Sequence, residues 1–350
     1  MASPGSQVLS GRMKKMPRIL VTGCAGFIGS WLTQTLLERG ATVRGLDNFE
    51  TGKRENLAAL SGSEKSANQA ETGKSRPGGS FEFVQCDLRD AEATARACEG
   101  VDFIFHEAAR PSVFRSLADP RTSHTANIDG TFNLLEGARL AGVKRIVYAA
   151  SSSAYGNQPG FPRRETMVPM PIAPYPVQKL TGEFYMKSYW QIYGIETICL
   201  RYFNIFGPRQ VPDSPYSAVM AKFTLQMMRG ERPTIFGNGE QGRDFTYVEN
   251  AVSANLLAME APADKVAGHV FNVACGERHT LNETFEVLAE FLDFQQPPVY
   301  APPRQGDIEN SQADISAARE AFGYDPKVDF REGLRRTVAW YREQYASVTV

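Results

Sequence analysis

Three residues, Ser151, Tyr175 and Lys179, have the types and spacing needed to remove a proton from an alcohol. Tyr175 and Lys179 are four positions apart, so in a helix they share one face and the ammonium can lie beneath the phenol. A nearby positive charge favours the phenolate and lowers a tyrosine pKa from its reference value near 10. A hydroxyl from a separate strand end, such as that of Ser151, could then hydrogen-bond the same substrate oxygen. The trio predicts a general base that acts while a hydride leaves the alcohol carbon, although a tyrosine and a lysine at this spacing also recur by coincidence.

A glycine-rich segment after the first predicted strand offers a place for the hydride acceptor. Gly23, Gly26 and Gly29 follow that strand and open a predicted helix that ends at Gly40. Glycines permit a tight turn and close backbone approach, and a helix N-terminus attracts a pyrophosphate. The spacing is G-x-x-G-x-x-G rather than the G-x-G-x-x-G fingerprint, so the strand and helix around it carry much of the inference. The segment predicts a dinucleotide-binding site.

Acidic residues at the ends of the next two predicted strands indicate which dinucleotide is bound. Asp47 lies 18 residues after Gly29, where its carboxylate could accept hydrogen bonds from both ribose hydroxyls of an adenosine. A carboxylate there would repel a 2′-phosphate, so NAD is predicted rather than NADP; a turn-starting role for Asp47 is the alternative. Asp87 could accept a hydrogen bond from the adenine amino group, or it could cap the helix that begins near Ala91.

The fourth predicted strand ends at His106 and is followed by small residues, Ala108 and Ala109, where a cofactor would pass. His106 is interpreted as a structural neighbour, because Tyr175 is the better acid–base group. Asn127 lies in a predicted helix near this edge. It could hold the backbone beside Tyr175, or it could face the surface.

Length, charge and cysteine content exclude several classes of protein. A chain of 350 residues can bury one large α/β domain, or one such domain with a smaller lobe. A formal net charge of −1 gives no electrostatic case for a nucleic acid or an anionic membrane as partner. Five scattered cysteines without a C-x-x-C pair indicate reduced thiols of a cytoplasmic protein and no metal site. Residues 1–17 lack the apolar stretch of a signal peptide and are expected to form a disordered tail, and no run is long enough to span a membrane.

Strand-like and helix-like segments alternate through the first part of the chain. The predicted strands are 18–22, 42–47, 81–85, 101–106, 144–149 and 196–202, and the predicted helices include 30–39, 126–140 and 180–193. Alternation of this kind predicts an α/β fold with a Rossmann-type doubly wound parallel sheet.

Two regions depart from this alternation. Residues 61–80 are polar, without apolar periodicity, and are expected to form a mobile surface loop. After Gly207 come proline-bearing loops, a short helix at 219–229 and short strands near Thr234 and Val270. This change predicts a smaller lobe over the carboxyl edge of the sheet. The predicted domains are an NAD-binding domain, residues 18–203, and a mainly substrate-binding lobe, residues 204–350, partly interleaved with it.

These motifs in this order resemble the extended short-chain dehydrogenase/reductase family, and the similarity runs from about Arg18 to Tyr341. Within that family the chain is similar to the NAD-dependent nucleotide-sugar 4-epimerases. Four segments carry the narrower resemblance: Ser151-Ser-Ser-Ala-Tyr-Gly156, Leu200-Arg-Tyr-Phe-Asn-Ile-Phe-Gly207, Gly242-Arg-Asp-Phe-Thr-Tyr-Val248 and Arg304-Gln-Gly-Asp307.

The resemblance implies a role for each residue of the opening trio. Tyr175 would be the base, Lys179 would lower its pKa and hold the nicotinamide ribose, and Ser151 would bridge to the substrate oxygen. The implied NAD site contains Gly23, Gly26, Phe27, Ile28, Gly29, Asp47, Asn48, Asp87, Leu88, Ala108, Ala109, Asn127, Tyr175, Lys179 and Phe203.

The resemblance also implies a UDP-sugar as substrate. Asn204 would touch its diphosphate or sugar, and Arg243 and Arg304 would clamp the phosphates, which suits the forked donors of arginine. Taken alone, each arginine could equally form a surface salt bridge. The implied substrate site contains Ser151, Ser152, Ser153, Tyr175, Asn204, Arg243, Arg304, Asp307 and Ser311.

The implied reaction is inversion of one sugar carbon. Tyr175 would take the proton of the 4-hydroxyl as C4 passes a hydride to NAD, and the 4-ketose would turn and regain the hydride on its opposite face. The sugar-nucleotide 4,6-dehydratases carry Thr-Asp-Glu where this chain has Ser151, Ser152 and Ser153, and serines cannot supply the acid and base that eliminate water. A dehydratase or decarboxylase is therefore disfavoured. A true dehydrogenase and a non-catalytic NAD-binding protein are the remaining alternatives.

The choice of sugar depends on Ser311, four residues after Asp307. In the resembling epimerases a bulky residue here restricts use to glucose and galactose, whereas a small one admits an N-acetyl group. Serine implies interconversion of UDP-N-acetylglucosamine and UDP-N-acetylgalactosamine, with the plain hexoses as further candidates. Arg110-Pro111 departs from many relatives, and an added cation near the sugar could instead favour UDP-glucuronate.

Family members often form dimers through a pair of helices on each subunit. Residues 132–140 and the helix after Lys179 could form such a face. The same apolar residues could instead pack against the sheet, because periodicity does not distinguish the two kinds of burial. A homodimer is the expectation that the resemblance favours.

Overall fold

The computed structural model describes residues 17–61, 79–211, 219–303 and 310–345. The predicted tail of residues 1–17 and the predicted loop of residues 61–80 fall almost wholly outside these ranges. Arg304 and Asp307, two predicted substrate residues, also lie outside the described residues.

A parallel sheet of seven strands forms the centre of the molecule, in the order β11-β6-β5-β4-β1-β2-β3. Within the described ranges, three pairs of short strands, β7 with β10, β8 with β13 and β9 with β12, lie outside it. The strands of the described residues are β1 Arg18–Thr22, β2 Thr42–Asp47, β3 Ser80–Gln85, β4 Phe103–His106, β5 Arg145–Ser151, β6 Glu196–Tyr202, β7 Ile205–Phe206, β8 Thr234–Phe236, β9 Gly242–Arg243, β10 Thr246–Tyr247, β11 His269–Val273, β12 His279–Thr280 and β13 Val299–Ala301.

Helices connect the strands of the main sheet and cover both of its faces. A π-helical turn, Thr125–Asp129, precedes α6, and a 3-10 turn, Ser152–Tyr155, follows β5. The α-helices are α1 Phe27–Glu38, α2 Arg54–Ser61, α3 Ala91–Cys98, α4 Val113–Ala118, α5 Pro120–His124, α6 Gly130–Ala141, α7 Pro174–Tyr193, α8 Val219–Met228, α9 Val248–Glu260, α10 Ala263–Val266, α11 Leu281–Leu292, α12 Ser316–Phe322 and α13 Phe330–Gln344. No helix of the described residues combines the length and the apolar character needed to cross a membrane.

Alternation along the strands divides the core between the two faces of the sheet. In β1, Ile19 and Val21 join a cluster with α1 and α9, whereas Leu20 joins a second cluster with α3, α6 and α7. The sequences of strands buried on both faces are continuous apolar runs, as expected for a parallel sheet covered by helices. The predicted doubly wound α/β fold is confirmed.

The sheet reverses its strand order beside β1. The chain proceeds from β1 through β2 to β3 on one side and from β4 through β5 to β6 on the other. In such folds a crevice opens at the carboxyl ends of the strands at this point of reversal, and ligands bind there. The loop after β1 contains Gly23, Gly26 and Gly29, so the fold places the predicted dinucleotide site at this crevice.

A third apolar cluster builds the region beyond the sheet. Phe206, Phe223, Phe245 and Phe330 pack within it, and Trp31 of α1 contacts its edge. This cluster lies among the short strands and helices that follow Tyr202. It attaches them to the start of α1, next to the glycine loop.

The structure corrects the position of one predicted strand. The sequence pattern predicts that the segment near Val270 belongs to the smaller lobe, but β11 pairs in parallel with β6, with Val270 opposite Cys199, and forms an edge of the main sheet. The segment is an ordinary short strand by sequence, and only its pairing partner decides where it belongs. Helix α7 also begins at Pro174, six residues earlier than predicted, because proline is well tolerated in the first turn of a helix.

Candidate active site

A cavity of about 690 Å³ runs along the carboxyl edge of the sheet. The glycine loop and the ends of β2, β3 and β4 line one part of it, and the start of α7 and the elements beyond the sheet line the rest. Of the residues assigned to the site from sequence, those that line the cavity are Gly23, Gly26, Phe27, Ile28, Gly29, Asp47, Asn48, Asp87, Leu88, Ala108, Ala109, Tyr175, Lys179, Asn204 and Arg243.

The glycine loop is tight enough to require glycine at two of its positions. Gly23 has φ 72°, and a Cβ there would lie 2.8 Å from the backbone nitrogen of Ala108. A Cβ on Gly29 would lie 2.1 Å from the carbonyl oxygen of Gly23. Helix α1 begins at Phe27. Its N-cap residue, Gly26, has no side chain to cover the helix N-terminus, and the first turn lines the cavity. This arrangement fits a pyrophosphate at the helix N-terminus.

Asp47, the last residue of β2, and Asp87, which follows the neighbouring strand β3, both line the cavity. Asp47 is 7% exposed and accepts hydrogen bonds from the backbone N–H groups of Ala25 at 3.0 Å and Phe49 at 2.8 Å. Burial raises the pKa of Asp47, and these hydrogen bonds lower it in part. Asp87 accepts a hydrogen bond from Asn48 Nδ2 at 2.9 Å. The two carboxylates are thus held at the cavity wall by neighbouring donors.

The alternative role of Asp87 as a helix cap is wrong. Asp90 is the N-cap residue of α3, and its side chain accepts a hydrogen bond from Ala93 N at 3.0 Å. Asp87 instead accepts hydrogen bonds from the backbone and side chain of Arg89. Those bonds hold the pKa of Asp87 at about 2, so the residue is an anion at neutral pH.

Two residues of the predicted trio, Tyr175 and Lys179, line one end of the cavity, and Ser151 lies beside Tyr175. Ser151 is the last residue of β5, and Tyr175 lies in the first turn of α7, where the Ser151 hydroxyl acts on the phenol and lowers its pKa. Lys179 is one turn further along the same helix and is 3% exposed. Its Nζ donates a hydrogen bond to the carbonyl oxygen of Ala149 at 2.7 Å and lies 4.8 Å from the centre of the Tyr148 ring.

The pKa of Tyr175 moves in the opposite direction from the one predicted. Burial raises it to about 12, and the nearby Ser151 hydroxyl lowers it only in part. Burial also disfavours the charged form of Lys179 and lowers its pKa to about 8. The prediction considered the charge of Lys179 alone, whereas desolvation of the phenol is the larger effect here.

Neighbouring hydroxyl groups fix the positions of Tyr175 and Ser151. The Ser116 hydroxyl, which is fully buried, accepts a hydrogen bond from the backbone N–H of Tyr175 at 3.0 Å. Ser151 Oγ and Ser153 Oγ are 2.8 Å apart, within hydrogen-bonding distance. Ser116 was not predicted, because a lone serine in a helix carries no sequence signal.

His106 and Asn127 support the site from behind its wall. His106 bonds Thr22 Oγ1 at 2.8 Å and Thr131 Oγ1 at 2.9 Å, and burial lowers its pKa to about 3. Its predicted structural role is therefore confirmed. Asn127 is 2% exposed, which excludes the surface role; it holds both backbone groups of Arg110 and donates from Nδ2 to Gln178 of α7 at 2.8 Å.

Six residues assigned from sequence do not line the cavity. Asn127 and Ser311 lie behind lining residues, and Phe203 is fully buried in the core, where its backbone N–H donates to Val273. Ser151 ends β5, and Ser152 and Ser153 belong to the 3-10 turn that follows it, beside Tyr175. The full set is Asn127, Ser151, Ser152, Ser153, Phe203 and Ser311.

Two further charged residues line the cavity: Glu107, which was not predicted as functional, and Arg110, which was considered from sequence as a cation for a uronate. Glu107 lines the cavity and accepts a hydrogen bond from Tyr202 Oη at 2.7 Å. Arg110 forms ion pairs of 3.0 Å with both Glu50 and Asp119. A polar residue directly after a parallel strand was the available signal for Glu107, since ligands bind at this edge.

The fold and the site together define an enzyme that uses a dinucleotide for chemistry at a hydroxyl-bearing carbon. The model of the NAD dependent epimerase/dehydratase family matches residues 19–274, and the chain belongs to this family. NAD is its cofactor.

Similar proteins include epimerases from bacteria and archaea. The chain is 37% identical over 329 residues to a UDP-glucose 4-epimerase of Mycolicibacterium smegmatis, covering 93% of this chain and 99% of that protein. A crystal structure of the UDP-glucose 4-epimerase of Thermotoga maritima with UDP-glucose superposes with a TM-score of 0.84, at 38% identity and 94% and 99% coverage. A UDP-N-acetylglucosamine 4-epimerase from Methanobrevibacter ruminantium, in complex with UDP-N-acetylmuramic acid, superposes with a TM-score of 0.83, at 36% identity and 94% and 99% coverage.

Proposed function

We propose that this protein inverts C4 of a UDP-sugar, interconverting UDP-N-acetylglucosamine and UDP-N-acetylgalactosamine, with UDP-glucose and UDP-galactose as a further pair. One observation carries the proposal: Tyr175 and Lys179, one helical turn apart in α7 with Ser151 beside the phenol, line the end of a cavity that begins at the glycine loop. The similarity to UDP-glucose and UDP-N-acetylglucosamine 4-epimerases supports it.

The side chains of the site can move one proton to and from a sugar hydroxyl. Tyr175 takes the proton of the 4-hydroxyl and later returns it, while Ser151 hydrogen-bonds the same oxygen. Because burial raises the pKa of Tyr175 to about 12, its phenolate requires stabilisation by the Ser151 hydroxyl and the Lys179 ammonium. NAD, when bound between the glycine loop and Tyr175, supplies hydride acceptance and donation with no net redox change.

One observation favours a plain or N-acetylated sugar without a carboxylate, and a second disfavours elimination of water as the reaction. The Arg110 guanidinium, which was a candidate ligand for a uronate, is already paired with Glu50 and Asp119. Ser152 and Ser153 occupy the turn after Ser151 and provide no acidic group for elimination of water. UDP-glucuronate 4-epimerase is the alternative function.

Arg243 lines the cavity and is proposed, together with Arg304, to bind the diphosphate.

Direct comparison of substrates tests the function. The purified protein is incubated separately with the UDP-glucose, UDP-N-acetylglucosamine and UDP-glucuronate pairs, and the rate of C4 inversion is measured for each. The N-acetyl pair is expected to react with the highest kcat/KM. A higher kcat/KM for UDP-glucuronate would overturn the choice of sugar, and net formation of NADH would indicate a dehydrogenase.

A conservative variant tests the role of the tyrosine. Tyr175→Phe removes only the phenolic oxygen and is expected to lower kcat at least about 10²-fold while NAD remains bound. Tyr193→Phe is the matched control, because Tyr193 is 53% exposed and lies at the other end of α7. Full activity in Tyr175→Phe would exclude the proposed base.

The protein is also proposed to form a homodimer through α6 and α7. Both helices carry large apolar side chains on the surface: Phe132 is 40% exposed, Leu140 71%, Phe184 64% and Ile192 70%. An apolar surface shared by two adjacent helices favours burial against a second copy. Light scattering should give twice the monomer mass for the natural chain, and Phe184→Glu should reduce it; a natural chain that is monomeric would refute the proposal.

A further inference from the structure

We propose that Glu107 is a positioning residue whose carboxylate holds Lys179 in its charged form next to Tyr175. The inference rests on the proposed function, since it assigns a task to Lys179 in the same reaction. It goes further by identifying the anion that this task requires.

The sheet register brings the relevant groups to one place. His106 of β4 pairs with Tyr148 of β5, so Glu107 follows at the level of Ala149. The Ala149 carbonyl oxygen accepts the hydrogen bond from Lys179 Nζ at 2.7 Å. Glu107, Ala149 and Lys179 all line the same cavity.

A chain of hydrogen bonds fixes the Glu107 side chain. Tyr202 Oη donates to Glu107 Oε1 at 2.7 Å, and Asn255 Nδ2 donates to Tyr202 Oη at 2.6 Å. Asn255 is fully buried and Tyr202 is 9% exposed, so both belong to rigid core elements. An acceptor held by Tyr202, which Asn255 holds in turn, is built into the fold, in contrast to a mobile surface carboxylate.

Lys179 requires an anion because its own hydrogen-bond partner is neutral. The Ala149 carbonyl and the Tyr148 ring do not carry a formal charge, and burial of the ammonium favours its neutral form. The groups that act on the Lys179 charge are Glu107, Glu183 and Cys199, with His106 also within electrostatic range.

Glu107 is the more effective of the two carboxylates near Lys179. It is the largest of the influences that raise the Lys179 pKa, which burial lowers to about 8. Glu183 is paired with Arg201 and accepts hydrogen bonds of 2.9 and 2.7 Å from its guanidinium. Burial raises the pKa of Glu107 to about 7, so its carboxylate is charged in the pH range where Lys179 would otherwise lose its proton.

The direct test measures the titration of Lys179. Trace acetylation of the NAD-loaded protein, quantified at Lys179 by mass spectrometry from about pH 6 to about pH 10, reports the fraction of neutral amine. Glu107→Gln removes the charge but retains a carbonyl acceptor for Tyr202, and it is expected to lower the Lys179 pKa by about one unit or more. Glu107→Asp retains the charge, so the Lys179 pKa in this variant should remain closer to that of the natural chain.

The kinetic test follows the alkaline side of the pH profile. If Lys179 loses its proton at lower pH in Glu107→Gln, then kcat for C4 inversion should begin to fall at a correspondingly lower pH. Tyr202→Phe removes the donor to Glu107, raises the carboxyl pKa and should give a smaller shift in the same direction. Glu92→Gln is the control, because the Glu92 side chain is 89% exposed on α3.

The two tests separate this inference from the proposed function. A shifted Lys179 titration in a protein that inverts none of the three UDP-sugar pairs would support the role of Glu107 and refute the proposed function. A Lys179 titration in folded Glu107→Gln that matches the natural chain would overturn the inference. If Glu107→Gln fails to fold, Tyr202→Phe provides the same measurement, and an unchanged Lys179 pKa there would overturn the inference.

Discussion

Asn204 Nδ2 donates a hydrogen bond of 3.0 Å to Ser311 Oγ, and so joins the turn after β6 to a segment more than 100 residues further along the chain. Asn204 lines the cavity and has φ 39°, a left-handed conformation that is uncommon outside glycine. Its amide also donates to the Asp244 carbonyl oxygen at 3.1 Å. Ser311 therefore acts on the cavity through Asn204, from a position that is 9% exposed.

Enlarging Ser311 should change the choice of sugar. In Ser311→Tyr the ring cannot occupy the space of a buried serine and must displace Asn204 toward the cavity. The kcat/KM for UDP-N-acetylglucosamine is expected to fall at least about tenfold relative to that for UDP-glucose, the scale of steric discrimination in enclosed pockets. Ser311→Ala, which removes the hydrogen bond but adds no bulk, is the control. Equal preferences in Ser311→Tyr and the natural chain would show that this position does not shape the sugar site.

The ion pairs of Arg110 should slow the release of NAD. Arg110 links Glu50, in the loop after β2, to Asp119, between α4 and α5, and both Arg110 and Glu50 line the cavity. Arg110→Gln should accelerate NAD dissociation several-fold, because partly exposed ion pairs contribute up to about 1 kcal/mol each. Raising the salt concentration should accelerate release from the natural chain more than from the variant. An unchanged dissociation rate in a stopped-flow displacement experiment would contradict this role.

Loss of the buried Glu183 charge should be strongly destabilising. Glu183 of α7 and Arg201 of β6 are 4% and 3% exposed, and two hydrogen bonds join them. Glu183→Gln leaves the guanidinium buried without its counter-ion and is expected to lower the free energy of unfolding by about 3–5 kcal/mol. Glu260→Gln is the matched control, since the Arg39–Glu260 pair is mostly exposed and should contribute about 0–1 kcal/mol. Denaturant titration of both variants measures the difference.

The buried His106 should make the protein less stable in mild acid. Its pKa is about 3 in the folded chain, against a reference near 6.5 when unfolded. The unfolded chain therefore binds a proton at His106 that the folded chain does not. The stability that the neutral, buried His106 contributes is lost as pH falls from about 6.5 toward 3. The loss is on the order of a few kcal/mol. His106→Gln should show a flatter dependence of unfolding free energy on pH between 7 and 4, and a parallel dependence in both proteins would contradict the assignment.

Local patterns determined much of this protein from the sequence alone. The strand before Gly23, the helix after it and the acid at Asp47 are contiguous features with a common physical cause, and all three have the predicted structure. The four-residue spacing of Tyr175 and Lys179 likewise follows from helical periodicity. These features need no knowledge of distant residues, because backbone geometry and side-chain spacing within one segment specify them.

Only the tertiary structure decided what surrounds those residues. The place of Val270 in the main sheet, the hydrogen bond between Ser311 and Asn204 and the placement of Glu107 and Lys179 in one cavity all join segments far apart in sequence. The pKa values of Tyr175 and Lys179 also depend on burial by several elements, which is why the prediction from Lys179 alone had the wrong direction. Desolvation and long-range pairing are properties of the packed chain, and no local spacing contains them.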